Sequence, residues 1–355
     1  MVFNKAEDMN GFHTIVLGEK KIGKGYPCFI IAEIGANFHS MEEAQEMIRA
    51  AAEAKADAVK IQTFKAETLV SPGAMFTLED GSRVSQYDFF KALEVSDEVH
   101  AKLKLFAEEL GLIFFSTPSA PEDADLLEKL LVPAFKTGSD DLTNYPFLEY
   151  IAKKGKPMIV STGMSTLEEV GKAAESIRKT GNEQVVFLHC AVGYPANPAT
   201  LNLLSMVQMR EKLGVQVGFS DHSLGITAPV AAVVLGAEAL EKHLTLDRSK
   251  GGPDNDVALE PKEFVEMVKA VREAEQMLGD GQKRVMPQEE KWREAARKSI
   301  VAKIDIPEGA HIIEAMLAFR RPAGGLEPAH WNEIIGKTAK RSLRAGEYIV
   351  FEDIS

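Results

Sequence analysis

Cysteine is scarce in this sequence: Cys28 and Cys190 are the only two among 355 residues, and they form no CxxC pair. A disulfide framework and a thiolate metal site are therefore not what organises the fold. Positive charge is also short. Lys and Arg number 41 against 53 Asp and Glu, a formal net charge of −12. That balance argues against a nucleic-acid or anionic-membrane footprint. An anionic ligand would have to find a local cluster of Lys, Arg or metal. Long hydrophobic runs are missing as well: the longest, APVAAVVLGAEAL, is broken by Glu238, well short of a membrane span. The opening MVFNKAEDMNGFH has no basic stretch followed by an apolar one, so no secretory leader is expected and the chain reads as cytoplasmic. Nor does a GxGxxG follow the first strand-like run, which argues against an open dinucleotide-binding sheet.

What the sequence does have is regular alternation. Strand-like runs occur at CFIIAEIG, DAVKIQTF, LIFFSTP, PAFKTGS, PMIVSTG, QVVFLHC, VQVGFSD and EALEKHLT. A segment of helical period follows each one, as in MEEAQEMIRAAAEAKA and PKEFVEMVKAVREAEQML, with apolar residues at three-to-four spacing. Eight such units with near-continuously apolar strands predict an α/β fold, a (β/α)8 TIM barrel, with an open doubly wound sheet as the alternative. The barrel is assigned to residues 1–280, with HTIVLGEKKIGKG read as a hairpin over its closed end. Residues 65–96 form a connection long enough to be a lid or substrate wall. A charged linker helix is expected over 281–297. Short β runs between Pro-Glu-Gly and Ala-Gly-Glu turns then make 298–355 a small β-rich domain.

The chemistry of such a barrel lies at the C-terminal ends of its strands, and here those ends are polar. In order they carry Glu33 and Asn37, Lys60 and Gln62, Thr117, Lys136 and Ser139, Ser161, His189 with Tyr194, Ser220 with His222, and His243. Two lysines and several hydroxyls on one rim suit a phosphate and a carboxylate. Imidazoles on adjacent strands suit a divalent metal with open positions. Each residue alone has an ordinary structural reading: a satisfied histidine, an ion-paired lysine, a turn-forming serine or threonine. The convergence is the signal.

The sequence resembles the phosphoenolpyruvate-dependent sialic acid synthases, the family of N-acetylneuraminate synthase and its legionaminic and pseudaminic relatives. The resemblance rests on FIIAEIGAN, DAVKIQTFK, IFFSTP, FKTGSDDLTNYPFLEY, GKPMIVSTGMS, LHCAVGYP, GFSDHSLG, ALEKHLTLDRSKGGPDN and FRRPAGG, in family order along nearly the whole chain. It implies a C-terminal SAF (antifreeze-like, β-clip) domain and an aldol-like condensation of phosphoenolpyruvate with an open-chain N-acylated amino sugar. The sugar would be N-acetylmannosamine or, alternatively, the 2,4-diacetamido-2,4,6-trideoxy sugar of legionaminic acid synthesis. His222 and His243 match the ligands of a catalytic Mn²⁺ or Mg²⁺. Lys60, Thr117, Lys136, Ser139, Ser161 and Ser220 match phosphoenolpyruvate contacts. Gln62, Tyr194 and Asp254 match residues facing the sugar, and Glu33, with Asp141 second, matches the acid that handles the proton of water. The resemblance also implies a homodimer whose SAF domain is swapped, so that Arg321 reaches the partner's barrel. Three places depart from the family pattern: Asn37-Phe38, with His39 one position late, Val192, and Asp141 in place of a glutamate. Two rival readings remain open here: a Schiff-base aldolase acting through Lys60 or Lys136, and an inactive binding protein of polysaccharide assembly on the same fold.

Overall fold

A computed structural model describes residues 14–35, 38–77, 81–250 and 254–355. The chain divides into two compact units at Gly279–Asp280.

The first unit is the barrel. Its strands are β1 (Phe29–Glu33), β2 (Ala58–Thr63), β3 (Ile113–Pro118), β4 (Phe135–Thr137), β5 (Met158–Ser161), β6 (Val185–Cys190), β7 (Gln216–Asp221) and β8 (Ala239–His243). All pair in parallel, in the order β3-β2-β1-β8-β7-β6-β5-β4. The ends of that ladder, β3 and β4, lie side by side without regular pairing, and the sheet closes there. The open-sheet alternative is excluded. Around it run α1 (Met41–Glu53), α2 (Asp97–Glu109), α3 (Pro121–Lys129), α4 (Tyr145–Ala152), α5 (Leu167–Lys179), α6 (Leu204–Leu213), α7 (Thr227–Val234) and α8 (Pro261–Leu278).

Local chemistry starts and stops these helices. Ser40, Ser96 and Thr166 accept backbone N–H bonds at the starts of α1, α2 and α5, and Glu169 returns the bond to Thr166. Such caps satisfy donors that the first turn cannot. Pro121 and Pro261 open α3 and α8, where a missing N–H costs nothing. Phe29, Phe114, Phe115, Phe135, Phe187 and Phe219 are buried in the barrel unit, each contributing about 1.5–3 kcal/mol by leaving water.

The hairpin of Ile15–Leu17 and Lys20–Ile22 forms as expected. Its Lys20 reaches Asp57, just before β2, at 2.9 Å. The hairpin thus sits at the N-terminal ends of the strands, away from the polar rim. In the second unit, β9 (Ser299–Ala302) pairs antiparallel with β10 (Leu317–Arg320). Isolated bridges such as Ile306↔Leu343 and Ala339↔Ile354 supplement that ladder. A separate core of Ile300, Ile306, Ile312, Leu317, Ile334, Leu343 and Ile349 holds it together. The linker helix is shorter than expected, Glu290–Ala296, and Ala323 N–H bonds to Glu294 C=O at 2.9 Å. The segment is therefore tied into the second unit rather than hanging free.

Candidate active site

Strand register assembles the rim. Across β8, β1 and β2 the Cα partners are His243↔Glu33 and Glu33↔Lys60; across β6, β7 and β8 they are Cys190↔Ser220 and Ser220↔Glu241. Side chains two apart on a strand share a face, so Lys60 with Gln62, and Glu241 with His243, point the same way. All of them line one cavity of about 620 Å³.

Each lysine on its floor already has a carboxylate. Lys60 Nζ contacts Glu33 and donates to Thr117 Oγ1 at 2.9 Å. Glu33 also accepts from the Gly35 N–H. A Cβ at Gly35 would lie 2.5 Å from the Glu33 carboxylate and 2.9 Å from Gln62 Cγ, so only glycine permits this approach. Lys136 Nζ donates to Ser161 Oγ at 2.6 Å and stands 3.6 Å from Glu241 Oε1, which accepts from Ser220 Oγ at 3.0 Å. Burial lowers the Lys60 ammonium to about 8, against the opposing pull of Glu241. Burial works the other way on Glu241, but Lys136 and Lys60 overcome it and hold the carboxyl below its usual range. Ser139 completes this side, its Oγ accepting the Gly163 N–H at 3.0 Å.

His222 and His243 face the same space, with ring centroids 5.2 Å apart. Burial lowers both imidazoles, and each is further depressed or steadied by its neighbours: His243 falls well below the usual range, with His222 second in effect. Both rings are therefore neutral near pH 7 and keep a lone pair. Tyr194 OH lies 3.2 Å from His222 Nε2. His243 Nδ1 has no hydrogen-bond partner, and Asp254 Oδ2 is 3.8 Å away. Among the described residues no group of three or more His, Cys, Asp or Glu is placed to hold a metal. Two neutral imidazoles beside an open cavity nevertheless fit a divalent cation whose other positions go to water or substrate. Burial raises Asp254 to about 6 and pushes the Tyr194 phenol up.

Glu33, Lys60, Gln62, Thr117, Lys136, Ser139, Ser161, Tyr194, Ser220, His222, His243 and Asp254 thus meet in one cavity. Asp141 does not line it. Its Oδ1 accepts from Asn144 Nδ2 at 3.0 Å at the start of α4, while the neighbouring Asp140 faces the cavity. His189 is also turned away: its Nε2 pairs with Leu201 C=O at 2.7 Å, and Cys190 takes the inward position. Arg321 is an exposed residue of the second unit. Of the departures, Asn37 lies outside the described residues, Phe38 packs on the barrel core, and Val192 lines the cavity. Sequence reasoning missed Glu241. Its signal was its place two residues before His243 in an apolar strand. Also missed was a wall of Phe64, Phe76, Phe89 and Phe90.

A closed parallel barrel with lysines, hydroxyls and a histidine pair at its C-terminal rim has the arrangement of a barrel enzyme's active site. Residues 47–283 match the NeuB family and residues 297–355 the SAF domain. The chain belongs to the NeuB family. It is 38% identical to the N,N'-diacetyllegionaminic acid synthase of Legionella pneumophila over 97% of this chain and 99% of that one. It is 39% identical to the pseudaminic acid synthase of Campylobacter jejuni, covering 90% and 94% of the two. The crystal structure of the N-acetylneuraminic acid synthetase of Leptospira borgpetersenii, in complex with citrate, aligns with a TM-score of 0.72. That match has 32% identity and covers 79% of this chain and 95% of that one. Among the described residues no helix is long and apolar enough to cross a membrane.

Proposed function

We propose that the chain condenses phosphoenolpyruvate with an open-chain N-acylated amino sugar of the N-acetylmannosamine type. The products are a nine-carbon 2-keto acid and phosphate. The observation that carries this reading is the single cavity in which Lys60 and Lys136, each with hydroxyl partners, face the His222–His243 pair. Phosphate and carboxylate need two cations with neutral donors beside them, which Thr117, Ser139, Ser161 and Ser220 supply. The methylene carbon of phosphoenolpyruvate forms a bond to the aldehyde carbon, and water adds at C2. Phosphate then leaves with its bridging oxygen. Glu33 takes the proton of that water. Gln62, Tyr194 and Asp254 hold the sugar. What a divalent cation, Mn²⁺ or Mg²⁺, supplies when bound by His222 and His243 is polarisation of the aldehyde oxygen.

The proposal extends to assembly: a homodimer in which Arg321 of each SAF domain completes the other subunit's site. A Schiff-base aldolase acting through Lys60 or Lys136 would leave the His222–His243 pair without a role. The deciding experiment measures phosphate release from phosphoenolpyruvate with acylated mannosamines, with and without chelator. Release that needs the sugar, together with a Lys136→Met variant whose KM rises for phosphoenolpyruvate and not for the sugar, supports the reading. Borohydride trapping of a pyruvate adduct on Lys60 or Lys136 contradicts it.

A further inference from the structure

Behind the floor of the cavity runs a second polar chain that the proposed chemistry does not use. Helix α2 turns His100, Leu103 and Ala107 inward, a three-to-four spacing that packs one stripe on the barrel. Two of the three are apolar; His100 is not, yet it is wholly buried. A buried imidazole needs partners for both nitrogens. Its Nδ1 lies 2.9 Å from Ser96 C=O, one turn back at the helix cap, and its Nε2 lies 2.8 Å from Thr63 Oγ1. Thr63 Oγ1 is in turn 2.6 Å from Ser116 Oγ, which donates to Ile61 C=O at 2.9 Å.

Hydrogens order this chain. Ser96 C=O can only accept, so Nδ1 carries the imidazole hydrogen. Burial lowers the His100 imidazole, which leaves the ring neutral near pH 7, and Nε2 therefore accepts the Thr63 hydroxyl hydrogen. Ser116 then divides its one hydrogen between Thr63 Oγ1 and Ile61 C=O. One imidazole and two hydroxyls thus supply three hydrogens to four contacts. No group in the chain has a hydrogen to spare for another partner.

The chain ends against residues of the site. On β2, Ile61 and Thr63 alternate with Lys60 and Gln62, so the first pair faces the helices while the second faces the cavity. On β3, Ser116 directly precedes Thr117, the acceptor of Lys60. Ile61 pairs with Ser116, Gln62 with Thr117 and Thr63 with Pro118, and Pro118 has no N–H to add to that ladder. The Thr63–Ser116 contact therefore cross-links β2 and β3 from behind, next to the two residues that reach into the cavity. At the other end of the chain, Ser96 closes the long connection that carries the cavity-lining Leu93.

Resting on the condensation reading given above, we propose that His100 is a positioning residue. Through Thr63 and Ser116 it sets where Gln62 and Thr117 stand, and it ties them to the end of the cavity wall at Ser96. It touches neither substrate. A displacement of about 1 Å at reacting groups costs on the order of a hundredfold in rate. Loss of the chain should therefore lower kcat/KM for phosphoenolpyruvate roughly 10- to 100-fold in a folded protein.

The test measures phosphate release from phosphoenolpyruvate with N-acetylmannosamine or 2,4-diacetamido-2,4,6-trideoxymannose, whichever wild type turns over faster. Circular dichroism selects a temperature at which each variant is folded. His100→Phe keeps a ring without nitrogens, and Thr63→Val breaks the chain one link on; each should show the loss. Combined, they should lose no more than either alone, because both cut one chain. His100→Gln places its amide near the position of Nε2 and should recover most of the activity. His100→Asn, whose amide reaches only the position of Nδ1, should not. Wild-type kcat/KM in folded Thr63→Val, losses that multiply in the double variant, or equal recovery by Asn and Gln overturns the inference and leaves the condensation intact. Should His100→Phe fail to fold, Thr63→Val and the Gln and Asn variants still decide the matter. Wild type that releases no phosphate with either sugar overturns the condensation reading itself, and the inference with it.

Discussion

Lys242 Nζ and Asp221 Oδ2 form an ion pair at 2.7 Å with no solvent exposure on either side chain. The pair joins β8 to β7 on the face opposite the cavity, one residue away from His243 and His222. Lys242 also donates to Ser223 C=O, and Asp221 Oδ1 accepts the Ser223 N–H at 2.8 Å. The two strand ends that carry the imidazoles are thus clamped from behind.

Lys242→Met removes one partner and leaves a buried carboxylate uncompensated. The expected loss is about 3–5 kcal/mol of unfolding free energy, read by urea denaturation. The double variant Lys242→Met/Asp221→Asn should lose less than the single one, because no bare charge remains. Equal losses would show that packing, not charge, is what the pair contributes.

Lys60 gives the pH dependence. Its ammonium, lowered to about 8 by burial, is charged below that pH and neutral above it. Phosphoenolpyruvate capture that uses the cation is therefore present below pH 8 and lost as pH rises through it. The value of kcat/KM for phosphoenolpyruvate should be level on the acid side and fall about tenfold per unit beyond it. Lys60→Arg, whose charge persists, should remove that limb of the profile.

Chelation tests the histidine pair. EDTA should abolish turnover and Mn²⁺ or Mg²⁺ restore it, while His222→Ala or His243→Ala should each cost roughly a hundredfold or more. Binding is read separately, by Mn²⁺ electron paramagnetic resonance on the protein without substrate. Stoichiometric Mn²⁺ binding that survives both substitutions would place the metal elsewhere.

For assembly, inactive Arg321→Ala protein mixed with inactive His222→Ala protein should regain activity once subunits exchange. One site in each mixed dimer is then wholly wild type. Exchange shown by light scattering or labelled subunits, without returning activity, removes Arg321 from its role in trans.

The barrel was legible because its period is: eight apolar runs and eight helical segments leave few architectures open. The rim residues were legible where two lay on one strand, as Lys60 and Gln62 do. Phase was harder. His189 and Cys190 are neighbours at the end of β6, and sequence alone does not say which faces inward; the imidazole goes outward to Leu201. Asp141 was named by its match to a family glutamate rather than by strand phase; it lies beyond the end of β4, where its neighbour Asp140 lines the cavity. Glu241 was hidden because a carboxylate in a strand such as EALEKHLT reads as an interruption until its partners, Lys136 and Ser220, are seen across the barrel. The phenylalanine wall depends on tertiary packing of a connection without strong periodicity, although its length marked it as a substrate wall.

The resident carboxylates set how a ligand arrives. Glu33 sits on Lys60 and Glu241 near Lys136, in a protein whose formal net charge is −12. An approaching trianion meets no bare positive well, so long-range attraction adds little to its rate of encounter and added salt should slow it little. On the proposed reading, the incoming phosphate and carboxylate would displace two internal counter-ions, and each carboxylate freed from its lysine would be a better base than it was at rest.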